Sequence, residues 1–391
     1  MTSRRTFLAG AATAASASRV LGANDRVRLG VIGTGGRGSH LMNVANEVGG
    51  HEWVAVCDAW DVRRDKAVQT AGAPVEKYAD YRKLLERKDI DAVIVATWDN
   101  LHAQVTMDAC TAAKDVFVEK PMTSLPMQGV DLVKTVRKTN RVVQVGVQQR
   151  SMKHFIEAKQ RFIDTGAIGQ VTIVRTFWNA NGGYLEKPPA GMETKPAGLD
   201  WNACLGWLPK IAWDPKRYFN RFAYWDFSTG GQTGGLFVHM VDVVHWYLGL
   251  EKAKSAVALG GIWTYPDGRD TPDNINGIVE YPNGLNVTFE ATVTDMIPKQ
   301  SADIVFLGSK GRLHIFRGGY RFIPAEKGAQ EIIAQGTPES DHMRNWLDCV
   351  RTRKQPNADA VSGHYSALSC HLMNIAYKES GRAKWQDAWN V

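Results

Sequence analysis

Five cysteines are scattered over 391 residues, as Cys57, Cys110, Cys204, Cys349 and Cys370, with no C-x-x-C among them. Such scatter signals neither a disulfide framework nor a zinc site, and buried apolar thiols are the expectation. No apolar run is long enough to span a bilayer stably. Basic residues outnumber acidic ones by seven, yet no Lys/Arg block interleaves with aromatics, so nucleic acid is not an expected partner. Internal repeats and low-complexity linkers are also missing. Hydrophobic residues make up 44% and charged residues 22%. That is the balance of a soluble globular chain, here long enough for two packed domains.

The first 23 residues lack acids altogether but hold Arg4, Arg5 and Arg19, three of the seven excess charges. Ser3-Arg4-Arg5-Thr6-Phe7-Leu8 precedes an Ala/Gly/Ser-rich stretch that runs to about Ala17. The segment resembles a twin-arginine export signal, which predicts a periplasmic or otherwise exported protein cleaved after Ala17 or after Ala23. Such pathways carry folded proteins, often with cofactor already bound, and the resemblance implies the same here.

From residue 24 the pattern becomes regular. Val27, Leu29, Val31 and Ile32 read as a buried parallel strand, and Leu41, Val44, Ala45 and Val48 recur at helical spacing. Between them stands Gly33-Thr34-Gly35-Gly36-Arg37-Gly38. In strand–turn–helix context these glycines predict a tight turn that lets backbone approach a pyrophosphate at the helix N-terminus. The next strand ends at Asp58, 20 residues after Gly38. An acid there can bind the adenosine ribose and repel a 2′-phosphate, which predicts NAD. Arg37 and Arg63 could neutralise a phosphate, so NADP stays possible. Further strands are predicted at 91–97, 116–119 and 142–147, with helices over 100–113 and 127–139. This alternation argues a parallel, doubly wound sheet over 24–150.

The stretch Glu119-Lys120-Pro121-Met122, with DAVIVATWDNLH before it and VGVQQR after it, resembles the glucose–fructose oxidoreductase / inositol dehydrogenase / MocA (Gfo/Idh/MocA) family. The resemblance runs from about Val27 to the C-terminus and includes Gly308-Ser309-Lys310-Gly311 and the stretch from His342 to Val350. It implies an α/β fold: a Rossmann domain plus an α+β domain, residues 151–391, with a large, mostly antiparallel open sheet. That sheet often forms a dimer or tetramer interface, so a homo-oligomer is expected. It also implies cofactor contacts from Thr97, Asn100, His102, Glu119 and Lys120, beside Gly33, Gly35, Gly36, Arg37, Gly38 and Asp58. The residues themselves suggest strands at 171–177, 275–281, 285–293, 304–307 and 312–316. Pro282-Asn283-Gly284 reads as a hairpin turn, and 178–222 as a long loop over the active site.

Lys120 stands where the family's catalytic lysine stands. An ammonium there would stabilise an alkoxide while a base accepts the hydroxyl proton. Gly234-Gly235-x-x-x-His239-x-x-Asp242-x-x-His245-Trp246 is similar to the family's G-x-x-x-H-x-x-D-x-x-x-W helix. The resemblance makes His239 the proton acceptor, and Asp242 either orients it or holds the helix. One departure stands out. Cyclitol dehydrogenases of the family often carry Asp four residues before this histidine, where this chain has Gly235. Asp226, Tyr224 and Arg150 are candidate replacements. A metal at His239, Asp242 and His245 is not expected, because three-residue steps fan side chains around the helix; His245 reads as a packing or rim residue. Trp178, Trp201, Trp207, Trp213 and Trp225 could stack on sugar faces or fill core equally well. The leading functional reading is hydride transfer to or from a sugar or cyclitol with bound NAD. The alternatives are a redox-neutral glycosidase, epimerase or lyase acting through a transient keto-sugar, and a non-catalytic sensor on the same fold.

Overall fold

In the computed structural model, residues 26–179, 187–294 and 303–391 are described; the segment that resembles a twin-arginine signal lies outside them. The first six strands are β1 (Val27–Ile32), β2 (His51–Cys57), β3 (Glu76–Tyr78), β4 (Ala92–Val95), β5 (Asp115–Val118) and β6 (Val143–Val145). They pair in parallel in the order β3-β2-β1-β4-β5-β6, the arrangement of a dinucleotide-binding fold. Strands β4 and β5 are buried at every position, because helices cover both faces of a parallel sheet. The short edge strand β3, Glu-Lys-Tyr, was not predicted; two exposed positions and one half-buried one carry no apolar pattern.

The second sheet has nine strands in the order β14-β13-β12-β11-β7-β10-β9-β8-β15. They are β7 (Val171–Asn179), β8 (Ser255–Gly261), β9 (Asn274–Glu280), β10 (Asn286–Thr292), β11 (Asp303–Gly308), β12 (Gly311–Phe316), β13 (Gly319–Pro324), β14 (Ile332–Gln335) and β15 (Ala383–Lys384). All pairs are antiparallel except β7 with β10. The 282–284 turn closes β9 onto β10, with Gly284 at φ 84°. The sequence reading did not include β8, β13 or the two edge strands, β14 of four residues and β15 of two. Burial alternates along β9 and β10: one face packs on helices Val238–Leu248 and Ala360–Lys378, and the other faces out.

Two later helices tie the halves together. Met343, Trp346 and Leu347 of helix Ser340–Thr352 belong to the same core cluster as Leu29 and Phe117 of the first sheet and Leu41 of the helix Gly36–Val48. In helix Ala360–Lys378, Gly363 abuts Val145 of β6 so closely that a Cβ would lie 2.5 Å from it. Among the described residues no helix is long and apolar enough to cross a membrane. All five cysteines are buried and unpaired.

Candidate active site

A cavity of about 500 Å³ opens at the carboxyl ends of β1, β2, β4 and β5, and is closed from the other side by the second domain. Gly33 leaves β1 at φ 87°, donating its N–H to the Cys57 carbonyl at 2.8 Å. A Cβ on Gly38 would lie 1.9 Å from the Gly33 carbonyl oxygen, so the helix Gly36–Val48 starts only because that position is bare. Gly35 and Gly36 line the cavity, and a Cβ on Gly36 would meet no protein atom within 4 Å. Its bareness is therefore not demanded by packing; it keeps a helix N-terminus open, as an anionic ligand requires.

Asp58 lines the cavity, and its oxygens accept from the backbone N–H groups of Thr34 (2.7 Å) and Trp60 (3.0 Å). Those bonds fix the carboxylate beside the glycine turn and leave lone pairs for a ligand. Arg63 also lines the cavity, its guanidinium over the rings of Tyr218 (5.0 Å) and Trp60 (5.7 Å). Arg37 is engaged differently. It pairs with Glu119 at 2.7 Å and Glu339 at 3.3 Å, and Glu339 also meets His40. With two acids on it, Arg37 is not a spare cation for a 2′-phosphate.

At the end of β5, burial pushes the Glu119 carboxyl upward, but Arg37 and Lys120 outweigh it and hold it below the usual range. Gly146 makes room for it: a Cβ there would lie 2.9 Å from Glu119 Oε1. Lys120 follows, with a cis bond to Pro121. Its Nζ donates to the Gly235 carbonyl at 2.8 Å. Burial pulls the ammonium down to about 8, against Glu119 and Asp99, which raise it. His102 lines the cavity and buttresses this corner, its ring nitrogens 2.7 Å from the Pro121 carbonyl and 3.1 Å from that of Thr97. Thr97 lines the cavity too. Asn100 is absent from the lining: its amide donates to the Cys204 and Leu205 carbonyls, tying the overlying loop down.

His239 reaches the same cavity from the second domain. Its Nδ1 donates to Gln149 Oε1 at 3.2 Å, which leaves Nε2 as the lone-pair nitrogen. Burial first, then Lys120 and Arg317, push the imidazole well below its ordinary value, so it is neutral at physiological pH. Asp242 does not line the cavity. It accepts from Arg150 at 2.8 Å and from Ser366 at 2.8 Å. It therefore does not orient His239; the sequence reading missed Gln149, which does. Burial raises the Asp242 carboxyl, with Arg150 opposing. His245 packs inside, 2.6 Å from the Tyr281 hydroxyl, and is driven to about 3 by burial. Among the described residues no cluster of His, Cys, Asp or Glu is placed to hold a metal.

Gly235 has a local explanation. A Cβ there would lie 2.5 Å from the Phe222 ring, so no Asp fits, and the backbone carbonyl serves Lys120 instead. The three suggested replacements are elsewhere. Asp226 pairs with Arg217, Arg217 also covers Tyr224, and Arg150 holds Asp242. Besides Asp58 and Glu119, the cavity is lined by the carboxylate of Asp99, whose Oδ2 accepts from Thr229 N at 3.1 Å. Of the five loop tryptophans only Trp178 lines the cavity. Trp201 and Trp213 pack with Trp98, Tyr218 and Phe227. The 178–222 segment does overlie the site, contributing Cys204, Tyr218, Phe219, Arg221 and Phe222; its residues 180–186 lie outside the described ones.

Residues 27–147 match the profile "Oxidoreductase family, NAD-binding Rossmann fold", and residues 210–314 match the "GFO/IDH/MocA C-terminal domain". The chain is 35% identical over 150 residues to an inositol 2-dehydrogenase of Salmonella typhimurium. It is 33% identical over 151 residues to an inositol 2-dehydrogenase/D-chiro-inositol 3-dehydrogenase of Halalkalibacterium halodurans. These matches span 38% of this chain and 44% and 43% of the relatives. Two solved structures share the fold over nearly their whole length. A levoglucosan dehydrogenase in complex with NADH is 16% identical with a TM-score of 0.72, covering 92% of this chain and 99% of its own. The WlbA dehydrogenase from Chromobactrium violaceum, in complex with NADH and UDP-GlcNAcA, is 19% identical with a TM-score of 0.73, covering 93% and 97%.

Proposed function

The chain belongs to the Gfo/Idh/MocA oxidoreductase family with an NAD-binding Rossmann domain, and we propose that it transfers hydride between NAD and a ring hydroxyl or carbonyl of a sugar, sugar derivative or cyclitol. One observation carries this reading. Lys120 from the first domain and His239 from the second line one cavity, the first an ammonium near its titration point and the second a neutral imidazole.

The residues fit the cofactor. The bare Gly35–Gly36 corner at a helix N-terminus suits its pyrophosphate, and Asp58 suits a ribose with free hydroxyls. Asp58 and the engagement of Arg37 by two acids favour NAD over NADP. When bound, NAD supplies the hydride acceptor or donor. His239 Nε2 takes the hydroxyl proton, or returns it in the reverse direction. Lys120, held by the Gly235 carbonyl, donates a hydrogen bond to the oxygen that gains negative charge. The overlying loop shields the exchange from water.

The named activities of the relatives, inositol and levoglucosan dehydrogenases, support a carbohydrate or cyclitol substrate. The twin-arginine segment supports export. Outside the cytoplasm no replenished pool of nicotinamide exists, so the cofactor loads before export and stays bound through many turnovers. The outward face of the nine-stranded sheet, with Ile173, Leu259, Ile278 and Ile333 exposed, is the surface we assign to a homodimer or homotetramer contact.

The test is a panel of neutral and anionic sugars, sugar derivatives and cyclitols, followed by nicotinamide absorbance. Net reduction of NAD by at least one member is expected. Product formation with no net absorbance change would replace this reading with a redox-neutral one.

A further inference from the structure

Two more cations stand at the Lys120–His239 end of the cavity, Arg221 and Arg317. They arrive from separate segments. Arg221 opens the short 3-10 turn Arg221–Ala223 in the overlying loop, and Arg317 sits in the turn between β12 and β13. Among the described residues neither guanidinium has an ion pair or a hydrogen bond, and the Arg221 Nε is buried with no partner at all. Each lies over a ring instead, Arg221 over Phe222 at 4.6 Å and Arg317 over Trp178 at 5.5 Å. Ring contacts fix the plane of a guanidinium but leave its five N–H donors unanswered.

None of the acids nearby forms an ion pair with either arginine. Glu119 is held by Arg37, Asp58 by the backbone of Thr34 and Trp60, and Asp99 by the backbone of Thr229. Burial accordingly pulls both arginines below their ordinary values, with only partial opposition from Asp99 and Glu119 at Arg221 and from Glu339 and Glu119 at Arg317. A buried charge without a counter-charge is costly. Two of them beside a lysine that must itself stay charged make sense when a ligand supplies the anion. The cofactor's pyrophosphate does not answer them, since its seat is the bare Gly35–Gly36 corner, whereas these arginines flank the reacting end.

Resting on the reading of this cavity as a carbohydrate site, we propose that its substrate is an anionic carbohydrate, a sugar acid or a sugar phosphate, whose anionic group is held between Arg221 and Arg317. The planar, forked guanidinium donors match a carboxylate or phosphate with paired, charge-assisted hydrogen bonds, and they orient the ring against Lys120 and His239.

The test uses the full-length protein loaded with NAD. Glucose, glucuronate and glucose 6-phosphate, with the matching galactose series, are titrated calorimetrically while the nicotinamide signal is followed. At least one anionic member should bind about tenfold or more tightly than its neutral counterpart, the scale of a charge-assisted hydrogen bond. The uronate and phosphate arms identify which anion is read. Arg221→Gln and Arg317→Gln should each reduce that preference about tenfold, and Arg→Lys at either position should restore part of it. Equal or better binding of neutral sugars by the unmutated protein overturns the proposal. So does a variant that weakens NAD itself while the anionic preference stays, because the arginine then serves the cofactor. If anionic sugars bind selectively but no carbohydrate alters the nicotinamide signal, the redox reading falls and the anionic site stands. If neutral sugars reduce NAD and bind as well as acids, the reverse holds.

Discussion

At the scale of single residues, the proposed chemistry rests on two side chains that burial pulls down alike yet leaves in opposite protonation states at neutral pH. His239 is kept neutral by burial and nearby cations, so it is ready to accept a proton; Lys120 is an ammonium that burial has weakened to about 8. Replacing either with Ala should lower turnover by about 10² to 10⁴, the range for a positioned proton-transfer or charge-stabilising group. Both variants should keep the wild-type unfolding midpoint, and near-normal turnover in either removes that residue from the chemistry. The pH profile of carbohydrate oxidation follows from the same two groups. It should stay level through neutral pH, because His239 has already lost its proton well below its ordinary value. It should fall as pH passes about 8, where Lys120 loses the proton that the developing alkoxide needs. An acid limb near the ordinary histidine value, or a rate that climbs through 8, would contradict the assignment. Lys120 was legible in the sequence because Glu-Lys-Pro-Met ends a strand, and His239 because of its helix motif. Gln149, Asp99, Arg221 and Arg317 were not: each lies far in sequence from what it faces, and no local spacing reports a contact across two domains.

At the scale of elements, the stretch from Val145 to Arg150 does more than mark a family. Gly146 makes room for Glu119, Gln149 holds His239, and Arg150 holds Asp242. The Asp242 position, which the sequence left between a catalytic and a structural role, is fully buried with Arg150 and Ser366 on its two oxygens. Asp242→Asn keeps the shape and strands the Arg150 charge. The cost should be about 3–5 kcal/mol, the range for breaking a buried pair from one side, read as a lowered urea midpoint. A loss under about 1 kcal/mol would show that the pair does not hold the helix. Strands with strong apolar runs, β1, β2, β4 and β5, were readable from periodicity, and Pro282-Asn283-Gly284 gave its hairpin away. Edge strands such as β3 and β15 were not, because two or three residues with at most one buried position carry no period.

At the scale of the molecule, two features of the account depend on each other. The proposed export in a folded state calls for a cofactor that travels inside the protein, and a cavity overlain by residues 203–222 is suited to slow release. The proposed subunit contact uses the outer face of the large sheet. Both sheets were foreseeable from the alternation of elements and the family resemblance. The return of helix Ser340–Thr352 to the first sheet was not, since its apolar face could have packed on either domain. The most direct test of the central claim uses protein purified without added nucleotide, mixed once with the carbohydrate panel, anionic members included, while nicotinamide absorbance and fluorescence are recorded. The account predicts near-stoichiometric bound nicotinamide, a single-turnover change with at least one carbohydrate, and loss of that change in Lys120→Ala. Nucleotide-free protein, or bound nicotinamide that no carbohydrate alters, would contradict it.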